Sequence, residues 1–348
     1  MQIYRQLAEI PANFGPSIAT IGNFDGVHRG HQWVIAEVVA RARTLGLVSI
    51  AITFDPHPAR VIRPESSQPL ITPLAQKLEL LAATGIDAVL ILPFTIELSH
   101  MTARIFATEV LQQTLHVTEL HEGENFRFGY QAEAGVDSLE TLGHELGFTV
   151  RVYAPRAVRN QTIRNQTSRD LTISDQTISS SRIRNLIAAG DVSRARSLIG
   201  RPFSIHSTPA SGRGYGTRYT VPTINLAPYT ELLPANGVYI TSLTIGTGNA
   251  SETFDAVTNV GNRPTFGADS FTVESHLLNF HPLELTEQTP LTLTFLHRLR
   301  AEMRWPNPEA LREQIGRDVQ KAKRYFSLCR VVGSKSRYAR QPSASLAP

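Results

Sequence analysis

Gly22-Asn23-Phe24-Asp25-Gly26-Val27-His28-Arg29-Gly30-His31 combines a strand-to-helix turn with a His-x-Gly-His signature. Ahead of it, Ser17-Ile18-Ala19-Thr20-Ile21 reads as a short buried strand, and behind it Gln32 to Thr44 carries apolar residues at helical spacing. The histidines therefore stand where a helix begins. Free backbone N–H groups and the positive end of the helix dipole favour an anion there, and the glycines allow a phosphate to approach the backbone. Two imidazoles beside a phosphate can donate to its oxygens as charge builds in an in-line transition state. Taken alone, the same pair could simply pack or cap the turn. A metal site is disfavoured, because neither a carboxylate nor a third histidine lies at ligand spacing.

Outward from this turn the chain alternates apolar runs with helical stretches: Leu47 to Phe54, Leu74 to Ala83, Ala88 to Leu92, Ala103 to Leu115, Ser138 to Leu146 and Phe148 to Tyr153. That rhythm predicts a mostly parallel sheet covered by helices on both faces, with ligands at the carboxyl ends of the strands. Thr53-Phe54-Asp55-Pro56-His57-Pro58 brings Asp55 and His57 to the same rim, because two prolines stop the strand. Residues 155–178 are rich in Arg, Asn, Gln, Thr and Ser and read as an exposed loop. Helices follow from Ser179 and from Asp191 to Leu198.

After Gly200 the period changes to two, in Val238 to Leu243, Phe271 to Leu278 and Leu291 to Phe295. This predicts antiparallel strands in a barrel or sandwich. A last helix is expected with Asn307 as its cap, Pro308 in its first turn, and Leu311, Ile315 and Val319 on one side. The expected division is a first domain over 1–190, a second over 191–330 and a disordered tail over 331–348.

At 348 residues the chain exceeds one ordinary core, and 41% hydrophobic with 18% charged residues excludes wholesale disorder. The net charge of +4 is concentrated after Lys321 and gives little reason to expect nucleic acid. A single cysteine, Cys329, excludes an internal disulfide or a cysteine-based zinc cluster. With neither a signal-peptide pattern nor a long apolar run, a cytoplasmic protein without a membrane partner is expected.

Ser179-Ser180-Ser181-Arg182-Ile183-Arg184 offers hydroxyls, helix-start N–H groups and an arginine one turn on, which suits a polyphosphate. By itself it is also an ordinary capped surface helix.

With Gly22–His31, Thr53–Pro58, Gly123-Glu124-Asn125-Phe126-Arg127-Phe128-Gly129 and Ile178–Arg184 in order, the sequence resembles the bifunctional riboflavin kinase/FAD synthetases of bacteria. The likeness continues through Leu198–Phe203, Val221–Leu226, Asn236–Tyr239, Thr258–Phe266 and Val273–Phe280. It implies a Rossmann-like α/β nucleotidyltransferase domain followed by a β-barrel riboflavin kinase domain with a C-terminal helix. The implied reactions are transfer of the ATP γ-phosphate to riboflavin, giving FMN, and adenylylation of FMN to FAD with release of pyrophosphate.

By the same resemblance, His28 and His31 hold the α-phosphate, within a phosphate-binding set of Gly22, Asn23, Phe24, Asp25 and Gly30. Ser180, Ser181 and Arg184 hold the departing phosphates, while Asn125, Phe126 and Arg127 meet the flavin. In the barrel, Glu274 takes the proton of the ribityl hydroxyl, Thr223 and Asn225 ligate Mg2+, and Gly212, Gly214 and Gly216 form a phosphate loop. ATP and the flavins are the partners, no nucleic acid is expected, and a homo-oligomer is allowed.

Thr217 and Thr220 depart from the family pattern around Gly216-Thr217-Arg218-Tyr219-Thr220-Val221, which puts the kinase loop in question. The sequence therefore leaves two alternatives open: an active adenylyltransferase beside a barrel that only binds flavin, and a non-catalytic flavin-sensing or RNA-binding regulator.

Overall fold

The computed structural model describes residues 1–158, 176–210, 223–262, 271–282 and 284–338. Its contacts divide into one unit of Met1–Asn185 with Ser197–Gly200, and another of Leu186–Arg196 with the chain from Arg201 onward. The division falls inside two helices, Ser180–Ala188 and Val192–Ile199, and interleaves at 186–200, so no single cut at 190 reproduces it.

The first unit runs β1 (Gln2–Tyr4), β2 (Ser17–Ile21), α1 (Arg29–Leu45), β3 (Val48–Asp55), α2 (Pro58–Ile62), α3 (Leu74–Ala82), β4 (Ala88–Pro93), α4 (Ile96–Ser99) and α5 (Ala103–Phe106). A π-helical stretch over Ala107–Thr114 then leads to β5 (Val117–Gly123), α6 (Val136–Leu146), β6 (Thr149–Tyr153), β7 (Ala157–Val158), β8 (Gln176–Thr177) and α7 (Ser180–Ala188). Six strands form a parallel sheet in the order β1-β4-β3-β2-β5-β6.

Alternation along the buried strands sends side chains to two cores. Ala19, Ile21, Ile50, Ile52, Leu90 and Leu120 pack against α5, the π-helical stretch and α6, while Ile18, Ala51, Val89 and Ile91 pack against α1 and α3. The order reverses at β2, with β3 on one side and β5 on the other, and such a switch point is where a doubly wound sheet opens for a ligand. The stretch read as a loop over 155–178 begins and ends in the short β7–β8 ladder.

The second unit contributes α8 (Val192–Ile199), β9 (Phe203–Ser207), β10 (Thr223–Asn225), β11 (Gly237–Ile245), β12 (Glu252–Asn262), β13 (Phe271–Leu277), β14 (Leu291–Ala301) and α9 (Pro308–Tyr338). The strands form a curled antiparallel sheet in the order β10-β13-β12-β11-β14-β9. Its edges are brought together just beyond β9, where Pro209 bridges Leu226, Ala210 N–H donates to Asn225 O and Ala227 N–H donates to Thr208 O, each at 2.8 Å. Tyr239, Leu243, Leu293 and Phe295 are fully buried. On the other face, Val238, Ile240 and Val257 receive Ala322 and Phe326 of α9.

Asn307 caps α9 as expected, its Oδ1 accepting from Ala310 N–H at 2.8 Å. Leu311 and Ile315 are 38% and 47% exposed, because the helix is held to the sheet only from Asp318, which is buried and accepts from Arg300 Nε at 2.8 Å. The helix also continues to Tyr338, so the first part of the expected tail is helical; 339–348 lie outside the described residues.

β5 was hidden from sequence reading because Glu119, His121 and Glu122 interrupt its apolar pattern, and each is satisfied by tertiary partners. Glu119 accepts from Arg41 Nη2 at 2.6 Å and from Arg151 Nε at 2.7 Å, tying α1 and β6 to β5. These guanidinium groups, Arg41 foremost, hold the Glu119 carboxyl at about 2, below its ordinary 4.5, although burial opposes the shift. A lowered folded-state pKa contributes stability that is complete above pH 4.5 and is lost as the pH falls toward about 2. Glu119→Gln is expected to flatten the wild-type loss of stability over that acid window, as read by urea unfolding at stepped pH.

Candidate functional site

A cavity of about 1270 Å³ opens in the first unit at the carboxyl ends of β2, β3 and β5. Its lining includes Gly22, Asn23, Phe24, His28, Gly30 and His31 from the turn after β2, and Asn125, Phe126 and Arg127 from the turn after β5. Ser179 and Ser180 at the start of α7 complete this grouping of segments distant in sequence. Ser181 is exposed and, like Asp25 and Arg184, does not line the cavity.

His28 both caps α1 and faces the cavity. Its Nδ1 accepts from His31 N–H at 3.3 Å, and the two rings stack with centroids 3.6 Å apart. Phe24 meets the His31 ring edge-on at 5.3 Å. Removal from water, followed by the charges of His28 and Lys77, pushes His31 well below its ordinary 6.5. His31 Nδ1 is buried and has no partner among the described residues, as suits an atom that meets a ligand. The turn is tight enough that Phe24 and Val27 take positive φ angles of 46° and 36°, which for a β-branched valine is strained backbone.

Asp25 holds this turn from beneath. It is 2% exposed, and its carboxylate accepts from Ile71 N–H at 2.9 Å, Thr72 N–H at 3.1 Å and Arg184 Nη2 at 2.8 Å. The same guanidinium donates to Pro69 O at 2.9 Å and Gln68 Oε1 at 3.0 Å. Ser180 Oγ donates to Asp25 O at 2.9 Å. Asp25 and Arg184, read from sequence as phosphate ligands, are thus engaged with each other and with 68–72.

Lys77 is a residue that sequence reading missed, because one lysine in an amphipathic helix ordinarily points to solvent. It is buried, with Nζ 3.4 Å from Thr53 Oγ1, and burial lowers its pKa from 10.5 against the opposing charges of Asp25 and Asp55. His57 caps α2 through Nδ1, and Phe54, Pro58 and Ala59 around it line the cavity. Trp33 and Tyr153 were also missed. They meet edge-on at 4.9 Å on the cavity wall, and the Arg156 guanidinium lies 3.9 Å from the Trp33 ring centroid.

In the second unit the candidate residues share one strand face. Antiparallel register sets Asn225 opposite Glu274 and Thr223 opposite His276, and opposite side chains lie about 5 Å apart at Cβ. Asn259 of β12 extends the Asn225–Glu274 row. The Thr223 hydroxyl is 3.3 Å from His276 Nδ1, and burial, assisted by the charge of Lys323, lowers the His276 pKa and so favours the neutral ring able to accept from it. His276 was not predicted, although it lies two residues beyond Glu274 and so on the same face. Thr223 and Asn225 offer hydroxyl and amide oxygens, hard donors that fit Mg2+. Gly212, Gly214, Gly216, Thr217 and Thr220 lie outside the described residues.

Residues 10–167 match the FAD synthetase family and residues 199–326 match the riboflavin kinase family. The chain belongs to the bifunctional riboflavin kinase/FMN adenylyltransferases. It is 33% identical to the bifunctional riboflavin kinase/FMN adenylyltransferase of Pseudomonas fluorescens, over 93% of this chain and 97% of the relative. It is 30% identical to that of Escherichia coli K12, over 89% and 93% of the respective chains. A solved structure titled as a macrolide-efflux protein from Streptococcus pneumoniae superposes with a TM-score of 0.74 at 22% identity, covering 92% of this chain and 98% of that one, which shows likeness of fold. The N-terminal unit carries the FMN adenylyltransferase and the C-terminal unit the riboflavin kinase, with ATP and flavins as substrates. Among the described residues, no helix is long and apolar enough to cross a membrane.

A Cβ at Gly30 would lie 3.2 Å from Cε1 and Nδ1 of His28. Gly30→Ala in the bifunctional enzyme is therefore expected to displace the His28 ring and lower FAD formation by about ten-fold or more, since misplacement of about 1 Å can cost on the order of a hundred-fold. Riboflavin phosphorylation, assayed in the same preparation, should not change.

Proposed function

We propose that the two reactions divide between the two groups of residues as follows. In the N-terminal cavity, an oxygen of the FMN phosphate attacks the α-phosphorus of ATP, the bond to the bridging oxygen breaks, and pyrophosphate departs. The nucleophile is already anionic at neutral pH, so positioning and charge neutralisation carry the step without a strong base. The Gly22-Asn23-Phe24 turn, Gly30 and the start of α1 approach the phosphates, with His28 and His31 at the α-phosphate. Ser180, which lines the cavity, faces the departing pyrophosphate. Asn125 and Phe126 hold the flavin, with Arg127 at its phosphate. Asp25 and Arg184 act by positioning, because their bonds to each other and to 68–72 fix the turn that carries the histidines.

At the barrel the nucleophile is a neutral alcohol, which needs a base. Glu274 accepts the ribityl 5′-hydroxyl proton as the oxygen attacks the γ-phosphorus and ADP leaves. His276 orients the Thr223 hydroxyl, and Thr223 and Asn225 would hold Mg2+. The metal, when bound, supplies neutralisation of phosphate charge. The observation that carries this reading is the register that sets Glu274 across from Asn225 with Thr223 on the same face. ATP-dependent chemistry and an unpaired thiol at Cys329 fit work in the cytoplasm on small molecules, without nucleic acid.

Incubation with riboflavin, ATP and Mg2+, and separately with FMN, ATP and Mg2+, tests this division by chromatography of FMN and FAD. Glu274→Gln is expected to lower FMN formation by about 10²-fold or more while leaving FAD formation from FMN intact. His31→Ala should do the reverse, costing adenylyl transfer on the order of 10²-fold. Unchanged FMN formation in Glu274→Gln would remove the base from this assignment. Chelation of Mg2+ by EDTA is expected to stop both reactions, and restored Mg2+ to recover both.

A further inference from the structure

The sheet of the first unit comes apart where the cavity begins. β2 stays paired with β3 as far as Ile21–Ile52, and β5 stays paired with β6 as far as Gly123–Tyr153, but the β2–β5 ladder ends at Ala19–Leu120. Gly22 N–H donates to Ile52 O at 2.9 Å on the β3 side. Donors alternate sides along a strand, so Ile21 N–H faces β5, where no backbone carbonyl meets it in the ladder. Glu122 supplies the missing acceptor: its Oε1 takes the Ile21 N–H at 2.5 Å. Carrying the register forward from Ala19–Leu120 sets Glu122 level with Ile21, so a side chain stands in for the backbone at the first place where the strands have parted.

Glu122 is 3% exposed yet lines the cavity, with Thr20, Ile21 and Gly22 on one side and Gly123, Glu124 and Asn125 on the other. Burial pushes its pKa well above the ordinary 4.5, against the Ile21 N–H and the Thr20 side chain. A buried N–H must be satisfied. Without the carboxyl, either Ile21 loses its partner or the strands close over the crevice, and both move the turn that starts at Gly22 and carries His28 and His31.

We propose that Glu122 is a positioning residue for adenylyl transfer, its side chain replacing the hydrogen bond that β2 and β5 cease to share and thereby holding the crevice floor open beneath the phosphate-binding turn. It touches no reacting atom in this account. Any side chain of the same reach that accepts from Ile21 N–H serves, whereas one shorter by a methylene, about 1.5 Å, does not.

Glu122→Gln, Glu122→Asp and Glu122→Ala in the full-length enzyme, assayed at steady state for FAD formation from FMN and ATP, test this. Riboflavin phosphorylation by the same preparations is the internal control, and calorimetric unfolding reports whether the first unit is folded at the assay temperature. The expected result is kcat for FAD formation within about three-fold of wild type in Glu122→Gln and reduced about ten-fold or more in Glu122→Asp and Glu122→Ala, with KM for FMN within about two-fold in all three. Wild-type kcat in folded Glu122→Ala or Glu122→Asp overturns the proposal, and so does a Glu122→Gln variant as slow as the others. If Glu122→Ala does not fold, the comparison of Glu122→Gln with Glu122→Asp decides by the same criteria.

Discussion

A tight strand-to-helix turn that lines a cavity has to keep its own shape, and here that constraint rests on the Asp25 carboxylate. Buried beneath the turn, it accepts from Ile71 N–H, Thr72 N–H and Arg184 at once. A carboxylate removed from water is tolerable only when paired and hydrogen-bonded, and the partners come from segments far along the chain. One charge thereby fixes the strained Phe24–Val27 backbone, the 68–72 connection and α7, which brings Ser180 to the cavity. Glycines at 22, 26 and 30 keep neighbouring side chains close: a Cβ at Gly26 would stand 3.2 Å from Ile71, and one at Gly22 3.2 Å from the Phe24 ring.

Around this turn the polar residues divide by task. Glu119 joins α1 to β5 and β6 through two arginines. His121, beside Glu119, is 2.9 Å through Nδ1 from the Tyr153 hydroxyl, and Tyr153 in turn meets Trp33 on the cavity wall. Glu119, His121 and Tyr153 are thus linked in one continuous set. This low-dielectric setting strengthens the interactions within the set and raises the penalty for removing any one partner.

The barrel uses a simpler device. Antiparallel pairing alone sets Thr223 against His276 and Asn225 against Glu274, so hydroxyl, amide and carboxylate oxygens share a face. The neighbouring interior positions carry Thr241, Thr258 and Ser275, whose hydroxyls run across β11, β12 and β13 at 2.6 and 3.0 Å and satisfy one another in the core. Alternation by two therefore separates a self-contained interior from a chemically equipped exterior.

The amino-acid sequence by itself determined the βαβ rhythm, the change to period two after Gly200, the strand–turn–helix at 17–45 and the motifs that carry the family. All of these are local: periodicity, glycine placement and capping are written within a few residues of where they act. Tertiary structure alone decided the rest. β5 was illegible because its buried glutamates and histidine become acceptable only through Arg41, Arg151, Tyr153 and Ile21, contributed from elsewhere in the chain. Arg184, a plausible phosphate ligand by spacing, is committed to Asp25, and Lys77, an ordinary helix lysine by pattern, lies buried beside Thr53. Glu274 was legible as a residue, but its alignment with Asn225 was not. The reason is common to all four: a polar side chain's task is set by the partner that satisfies it, and long-range pairing, unlike periodicity, leaves no trace in the local sequence.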